Sequence, residues 1–365
     1  MQIKEIKISD LQDFIESEIF TNSKEIPITP HRAISQINNP RADTNDVVLI
    51  TAYNENNDLI GYVGALPDEI YCKHKIAWNS CWYVNNTLGK TIALPLFLQF
   101  VKKWNGKILL RDLTDHTRKI IQSLPYFEVV RVEYRTRYYT RFYLTDLFAK
   151  KWPSLAFLKI PLKFTDILLN SYIILRQYVW VKSHVIPKSI RSELVSQIDK
   201  QMSNFLQLHN KNELIQRGKD ELDWIVNYPW VIEKTNNNES LIGKYYFSSV
   251  DKSFNFFRLK ILNENELIGF LIIKERDRHF EIPYAYFDDN YLKDISVCLI
   301  KFMYSKKVRS LNVVNIKLKK SLKEIKLPYI YSHSKIQELF ASKELLRIVG
   351  KDFELQDGDG DVAFT

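Results

Sequence analysis

Asp58-Leu59-Ile60-Gly61-Tyr62 opens the stretch whose reading decides the fold, and Glu266-Leu267-Ile268-Gly269-Phe270 repeats it. Both read as a turn feeding a strand, and their glycines lie 208 residues apart (269 − 61). Further on, Leu124-Pro125-Tyr126 returns as Leu327-Pro328-Tyr329 at an offset of 203 (327 − 124). Two landmarks in the same order indicate an internal duplication whose later copy has lost five residues between them. At the second offset Leu88-Gly89-Lys90 falls over Tyr291-Leu292-Lys293, ahead of an amphipathic segment in each copy. The repeated unit, centred on Asp58 to Trp104, therefore reads strand, strand, loop, helix, strand, helix.

Length and composition agree with a duplication. A chain of 365 residues, 45% of them apolar, can bury one or two full cores. We expect a first domain over 1–147, a helical linker over 148–198 and a second domain over 199–365. A net charge of +9 admits a nucleotide cofactor, nucleic acid or a membrane surface as partner, and selects none of them. Cys72, Cys81 and Cys298 form no close pair and have no histidines at ligand spacing, which argues against zinc and against a disulfide framework. The compartment reads as reducing, hence cytoplasmic. Lys4, Glu5, Lys7, Asp10 and Asp13 interrupt the start of the chain, so no secretory signal is expected there.

In chain order, Met1 to Ile8 alternates as a strand, and Ser9-Asp10 can cap a helix through Leu11, Phe14 and Ile15. Pro27, Pro30 and Pro40 break a polar segment carrying His31, Arg32 and Arg41. Asp46 to Tyr53 is a buried-strand run, and Asn54 to Asp58 turns it back into Leu59 to Leu66. Ile76 to Val84 is the next strand, rich in the aromatic residues that suit a pleated surface.

Asn85 to Thr91 is then a loop, and Leu94, Phe97, Leu98 and Val101 follow helical spacing from about Thr91. A strand entering a helix through a short glycine-containing loop aims several free N–H groups at one point, where a phosphate is attracted. An ordinary strand-to-helix connection has the same pattern.

The order and spacing resemble the GNAT acyl-CoA N-acyltransferase superfamily. There a bulged fourth strand and a fifth strand precede a pyrophosphate loop of pattern Arg/Gln-x-x-Gly-x-Gly/Ala that opens a helix. Leu88-Gly89-Lys90-Thr91-Ile92-Ala93 lies over that loop; it keeps the final Ala and has Leu88 and Thr91 at the first basic and first glycine positions. The resemblance implies a mixed α/β fold (α+β mixed sheet) of two GNAT-like domains in tandem. It implies acetyl-CoA as cosubstrate, held by Tyr83, Val84, Leu88, Gly89, Lys90, Thr91, Ile92 and Ala93, with no metal. Family members often carry Tyr-x-x-x-Gly-Phe with the tyrosine as general acid. Gln122 holds that place here, and Tyr126 is the candidate substitute. Asp68 and Glu69 end the strand taken as the fourth, close to where the central strands are expected to splay, which makes Glu69 the candidate base.

The second copy departs further. Its loop, Asp288 to Asp294, has no glycine and three aspartates among its first seven residues, a poor place for pyrophosphate, so this copy reads as degenerate. Asp357-Gly358-Asp359-Gly360-Asp361 resembles the start of a calcium loop, but Val362 occupies the glycine position. In the linker Phe164, Ile167, Leu168, Tyr172, Leu175 and Val179 form an apolar face that is expected to pack between the domains; peripheral membrane contact is the less favoured reading. Alternating Tyr and Arg over Val129 to Leu144 suits a strand with one polar face as well as it suits nucleic acid. The function expected is acyl-CoA-dependent transfer of an acetyl group to an amine. The alternatives are an aminoacyltransferase like the FemABX enzymes, which are also tandem GNAT folds and use aminoacyl-tRNA, and a non-catalytic acyl-CoA or protein-binding module.

Overall fold

The computed structural model describes all residues except 72, 86–88, 236–237 and 239–240, and all side chains except those and 89, 90, 150, 153, 155 and 156. The chain divides into two compact units that are interleaved in sequence: residues 1–133, 197–254 and 336–365 form unit 1, and 134–196 and 255–335 form unit 2. Both are mixed α/β units.

Unit 1 runs β1 (Gln2–Lys7), α1 (Leu11–Glu16), α2 (Glu18–Thr21), α3 (Pro30–Ile37), β2 (Val47–Tyr53), β3 (Leu59–Glu69), β4 (Lys75–Val84), α4 (Gly89–Lys103), β5 (Ile108–Arg111) and α5 (Asp115–Ser123). The chain then enters β6 (Phe127–Tyr139), whose end lies in unit 2. Local chemistry sets several boundaries. Thr29 Oγ1 accepts from Arg32 N at 3.4 Å and Pro30 occupies the first turn of α3, where its missing N–H costs nothing. Asn54 Oδ1 accepts from Asn56 N and Asp58 N, and Asn57 takes φ +62, closing the turn between β2 and β3. β1 to β4 are antiparallel neighbours, and β5 is parallel to β4. On one face of this sheet α4 buries Ile92, Leu96, Phe97 and Phe100, with Trp104 just after it, against Ile60, Val63, Ala65, Ala77 and Ile108. The other face packs Tyr62 and Cys81 with Leu11, Ile15, Phe20 and Tyr245.

Unit 2 adds α6 (Leu144–Lys151), α7 (Lys159–Ser183), β7 (Ile190–Val195), β10 (Phe254–Asn263), β11 (Glu266–Arg276), β12 (His279–Phe287), α10 (Leu292–Ser305), β13 (Ser310–Val313) and α11 (Ile316–Glu324). Between these come α8 (Lys200–His209), α9 (Lys219–Asn227) and the two-residue strands β8 (Ile232–Glu233) and β9 (Val250–Asp251), all in unit 1. Trp224 Nε1 there donates to Ser35 O at 2.7 Å and Trp230 Nε1 to Ser35 Oγ at 3.0 Å. The core of unit 2 sets Ile295, Leu299, Ile300 and Met303 of α10 against Ile268, Leu271, Ile282 and Leu311.

The two registers repeat at the sequence offsets. Ala77 pairs with Ile108 and Trp78 with Leu109, and 203 residues later Phe280 pairs with Leu311 and Glu281 with Asn312. Gly61 faces Val84 and Gly269 faces Phe287. A Cβ on Gly61 would lie 3.2 Å from Ile92 Cδ1, and one on Gly269 would lie 3.1 Å from Ile295 Cδ1. α4 starts at Gly89 and α10 at Leu292, two residues before the start expected for α4 from its apolar spacing. In each unit the strands are completed by one from the other half of the sequence. Leu339 to Ala341 of β14 (Tyr331–Ser342) pair with β5 in unit 1, and Thr136 to Tyr139 of β6 pair with β13 in unit 2.

One expectation is corrected here. The six apolar residues of α7 that were to be covered by protein are exposed; Phe164 and Tyr172 stand at 62% and Leu175 at 59%. The aspartates near the C-terminus fold inward in unit 1, Asp357 on Arg111 at 3.2 Å and Asp359 on Arg217 at 3.0 Å. Gly360 takes φ +80 against the Trp78 ring, where a Cβ would lie 2.9 Å from Cε3. Ahead of this glycine in the chain, α12 (Lys343–Val349) also belongs to unit 1.

Candidate functional site

The site of interest starts from an irregularity in one strand. β3 and β4 pair as Gly64↔Cys81 and then Ala65↔Asn79, which leaves Ser80 as an extra residue in β4. Such a bulge sets two successive side chains on one face and bends the strand. Ser80 and Cys81 accordingly both point to the face that carries Tyr62 and Gly64. A Cβ on Gly64 would lie 2.5 Å from Cys81 Sγ and 3.0 Å from Ser80 Oγ, so the bulge needs glycine opposite it. β4 pairs with β5 only at Ala77 and Trp78; from Asn79 to Val84 it pairs with β3 alone. The parallel strands part where the bulge begins, leaving one edge of β4 open.

Behind the bulge lies a buried cation. Arg32, on the first turn of α3, is 4% exposed. Its Nη2 donates to Ser80 Oγ at 2.7 Å, its Nη1 donates to Tyr245 Oη, and its guanidinium lies 3.9 Å from the centroid of the Trp230 ring. No carboxylate among the described residues pairs with it, and Asp361 acts on it only through its field. Among the described residues its Nε has no acceptor and the hydroxyl of Tyr62 has no hydrogen-bond partner; Tyr62 is 1% exposed between the rings of Tyr83 and Tyr245. A buried charge without a counter-charge, beside two unmade hydrogen bonds, costs several kcal/mol that packing must supply. Burial pushes the Cys81 thiol and the Tyr245 phenol upward, so both stay neutral at pH 7. Unit 2 differs at the matching place: Pro283 stands 203 residues after Ser80, and the buried Lys274 is paired with Glu281 at 3.0 Å.

His31, next to Arg32, is half-buried. Its Nε2 is 2.8 Å from the carbonyl of Trp230, which can only accept, so Nε2 carries the proton and Nδ1 carries the lone pair. Burial lowers its pKa against the raising effect of that carbonyl, and the charge of Arg32 lowers it further. The ring is a neutral base at pH 7.

On the α4 side, Trp82 stacks on Phe97 with centroids 4.7 Å apart, and its Nε1 is a third buried donor without an acceptor. Ile92, in the first turn of α4, is buried over Gly61. A hollow of about 400 Å³ is lined by Thr91, Ile92, Ile60, Met1 and the turn residues Asn54 to Asn56. It lies toward β2 and β3, away from the edge of β4 that β5 leaves open.

No protein-family model matches the sequence, and no curated protein matches it. Among solved structures the chain is similar to a conserved protein of unknown function from Enterococcus faecalis V583, described as a probable N-acyltransferase, with TM-score 0.51 and 11% identity over 96% of this chain and 74% of that one. It is similar to Saccharomyces cerevisiae N-myristoyltransferase with bound myristoyl-CoA, with TM-score 0.50 and 9% identity over 93% and 82%. A GCN5-related N-acetyltransferase from Anabaena variabilis ATCC 29413 follows at TM-score 0.47 and 10% identity, over 93% and 71%. The chain has the GNAT fold.

Within this GNAT fold the residues expected to bind a cofactor come together in part. Tyr83 and Val84 close β4, and Thr91, Ile92 and Ala93 form the first turn of α4 beside them. Gly89 and Lys90 begin that helix, while Leu88 lies outside the described residues. Glu69 is elsewhere. It pairs with Lys75, whereas Gly61 pairs with Val84; the eight residue steps from Gly61 to Glu69 (69 − 61) span roughly 26 Å at the rise of a strand. The strand read as the bulged one was β3, but the bulge lies on β4, and this places Glu69 at the far end from the loop. The buried carboxylate there is Asp68, and it is committed: burial raises its pKa, but Arg217 at 2.8 Å and Arg41 at 3.0 Å hold it below the usual range. Tyr126 is 55% exposed, and its carbonyl accepts from Lys343 N at 2.8 Å.

Sequence reading missed Arg32, Tyr62, Ser80 and Tyr245 as a group. The visible signal is Asn79-Ser80, two small polar residues breaking the apolar and aromatic run from Ile76 to Val84.

Proposed function

We propose that the chain is an acyl-CoA-dependent N-acyltransferase that passes an acetyl group to an amine, with the chemistry in unit 1. The observation that carries this reading is the parting of β4 from β5 at the Ser80 bulge, which leaves an open backbone edge beside three buried donors without acceptors. An extended amide-containing chain such as pantetheine pairs with an open strand edge. Its pyrophosphate would rest on Leu88, Gly89, Lys90, Thr91, Ile92 and Ala93 at the start of α4, with Tyr83 and Val84 flanking it.

The amine lone pair attacks the thioester carbon; a C–N bond forms and the C–S bond breaks with its electron pair on sulfur. One amine proton goes to the base, and CoA leaves as thiolate or thiol. The Val84 N–H, with Arg32 Nε and Tyr62 Oη as donors, stabilises the developing negative charge. His31 Nδ1 is the base we favour, because it carries a neutral lone pair next to Arg32, whereas Glu69 lies at the far end of β3. A cytoplasmic location is part of the same proposal. We also read 1–147 and 199–365 as two copies, the second degenerate, joined by 148–198; the matching registers support that reading.

Calorimetric titration with CoA, acetyl-CoA and myristoyl-CoA tests the proposal. One site is expected, weakened at least about tenfold by Gly89→Trp and unaffected by Leu292→Trp. Acetyl-CoA and myristoyl-CoA in the same titration separate the donors. Failure of every acyl-CoA to bind would return the chain to the aminoacyl-tRNA reading.

A further inference from the structure

The helix α7 is turned inside out for a helix facing water. Its inward stripe, at i, i+4, i+7, i+11 and i+14, is Asp166, Asn170, Ile173, Gln177 and Trp180. Asp166 accepts from Leu144 N at 2.7 Å and Thr145 N at 3.0 Å, which holds the start of α6. Asn170 exchanges two hydrogen bonds with Phe142, Gln177 donates to Thr140 O at 3.1 Å, and Trp180 Nε1 donates to Ile325 O at 2.8 Å. The polar side chains therefore fix the helix to unit 2, and the apolar ones point away. At 100° per residue Ile174, Ile167, Phe164, Leu175, Leu168 and Tyr172 fall within an arc of roughly 160° that also takes in Ser171 and, at its C-terminal end, Lys182. All of them are exposed, Leu168 at 57% and Ile160 in the first turn at 82%. Large exposed apolar patches on soluble proteins mark interaction sites.

Charge selects the occupant. Residues 144–188 hold seven Lys or Arg against two Asp, a net +5. Both aspartates are engaged, Asp166 at the start of α6 and Asp146 on Arg309 at 2.7 Å. Lys163 and Arg176 flank the apolar arc on either side, and neither is in an ion pair among the described residues. Lys182 lies 5.6 Å from the Tyr178 ring at the C-terminal end of the face, and Lys151 4.8 Å from the Trp152 ring at the end of α6, so cations and amphipathic rings occur together at both places. An apolar face rimmed by Lys, Arg, Trp and Tyr matches an anionic lipid surface. The same rim would repel a second copy of itself. No helix among the described residues is long and apolar enough to cross a membrane, so the geometry is that of lying on one.

We propose that α6 and α7 dock the protein on an anionic membrane surface, with the arc through Phe164, Leu168 and Leu175 in the acyl boundary and Lys163 and Arg176 among the headgroups. This holds whether or not the acyltransferase reading does. Sedimentation of the intact protein with vesicles of phosphatidylcholine, with and without phosphatidylglycerol, tests it. Pelleting is expected with the anionic vesicles, weakened at least about tenfold by removing phosphatidylglycerol or by Lys163→Glu with Arg176→Glu. Leu168→Ser with Leu175→Ser should lower partition about 100-fold or more, and Phe164→Ser with Val179→Ser should do the same independently. Circular dichroism should show all these variants folded, because the changed side chains are exposed. No pelleting on either vesicle overturns the proposal, as does pelleting that survives both apolar double variants. A dimer in sedimentation velocity that Leu168→Ser with Leu175→Ser turns into monomer, without vesicle binding, assigns the face to a second copy instead.

Discussion

Arg32 Nη2 donates to Ser80 Oγ at 2.7 Å, and that bond ties the start of α3 to the extra residue of the β4 bulge. The bond satisfies one arm of a guanidinium that, among the described residues, has no carboxylate partner and no acceptor for its Nε. A buried cation of this kind is a poor choice for stability, because replacing buried charge by apolar volume is often neutral or stabilising. Arg32→Met should therefore leave the melting temperature unchanged or raise it. If the cation stabilises charge in the transition state, kcat/KM should fall by about 10²–10³-fold. A variant that melts early and keeps wild-type rates would make Arg32 a structural residue.

The glycine opposite the bulge gives a test of packing alone. Gly64→Ala places a methyl group 2.5 Å from Cys81 Sγ, and Cys81 is backed by Tyr245 and Arg32. Overpacking of this kind costs roughly 1–3 kcal/mol. Cys81→Ala removes the clashing atom, so the double variant should recover most of that loss in a denaturant titration. Additive losses would mean that the strands shift as a whole instead.

The turn-and-strand pattern and the loop-to-helix step were legible in the sequence because both are local patterns. Asp58 to Tyr62 announces the turn into β3, Glu266 to Phe270 announces β11, and the spacing of Leu94, Phe97, Leu98 and Val101 announces α4. The Arg32 cluster was not legible, because its bonds reach 48 residues to Ser80 and 213 to Tyr245. Glu69 was misplaced by taking β3 for the bulged strand, since a one-residue bulge leaves almost no trace in apolar periodicity. In α7 the apolar arc was legible but its cover was not. Asp166 and Asn170 read as interruptions of that arc, whereas they are the residues that dock the helix.

The two units carry opposite pH signatures. In unit 1 burial, reinforced by Asp359, pushes Glu213 up to about 8. A raised carboxyl contributes stability that is full below its unfolded value near 4.5 and is lost as pH rises through about 8. In unit 2 burial alone would raise Glu281, but Lys274 and Arg135 bring it down to about 2, so its contribution is full above 4.5 and is lost as pH falls toward 2. Glu213→Gln should thus gain stability relative to wild type between pH 5 and 8, by no more than about 3 kcal/mol, and level off above that. Glu281→Gln should be destabilised at neutral pH and approach wild type in acid. Melting curves of the three proteins across pH 3 to 9 check both, and parallel curves would remove both assignments.

His31 links the cluster to the rate. The carbonyl of Trp230 fixes its proton on Nε2, and burial holds its pKa below the ordinary imidazole value, so Nδ1 is unprotonated through the neutral range. A base of this kind loses activity only when the pH falls far enough to protonate Nδ1. The rate of acyl transfer should therefore be flat above pH 6.5 and fall on an acid limb below it. His31→Ala should lower kcat about 10²–10⁴-fold, the usual contribution of a positioned base, and should abolish that limb. Acyl-CoA affinity should stay within about threefold of wild type, because the imidazole belongs to α3 and not to the loop ahead of α4. Stopped-flow assays over pH 5 to 9 for the two proteins decide the assignment. An acid limb of the same midpoint in His31→Ala would move the base to another residue.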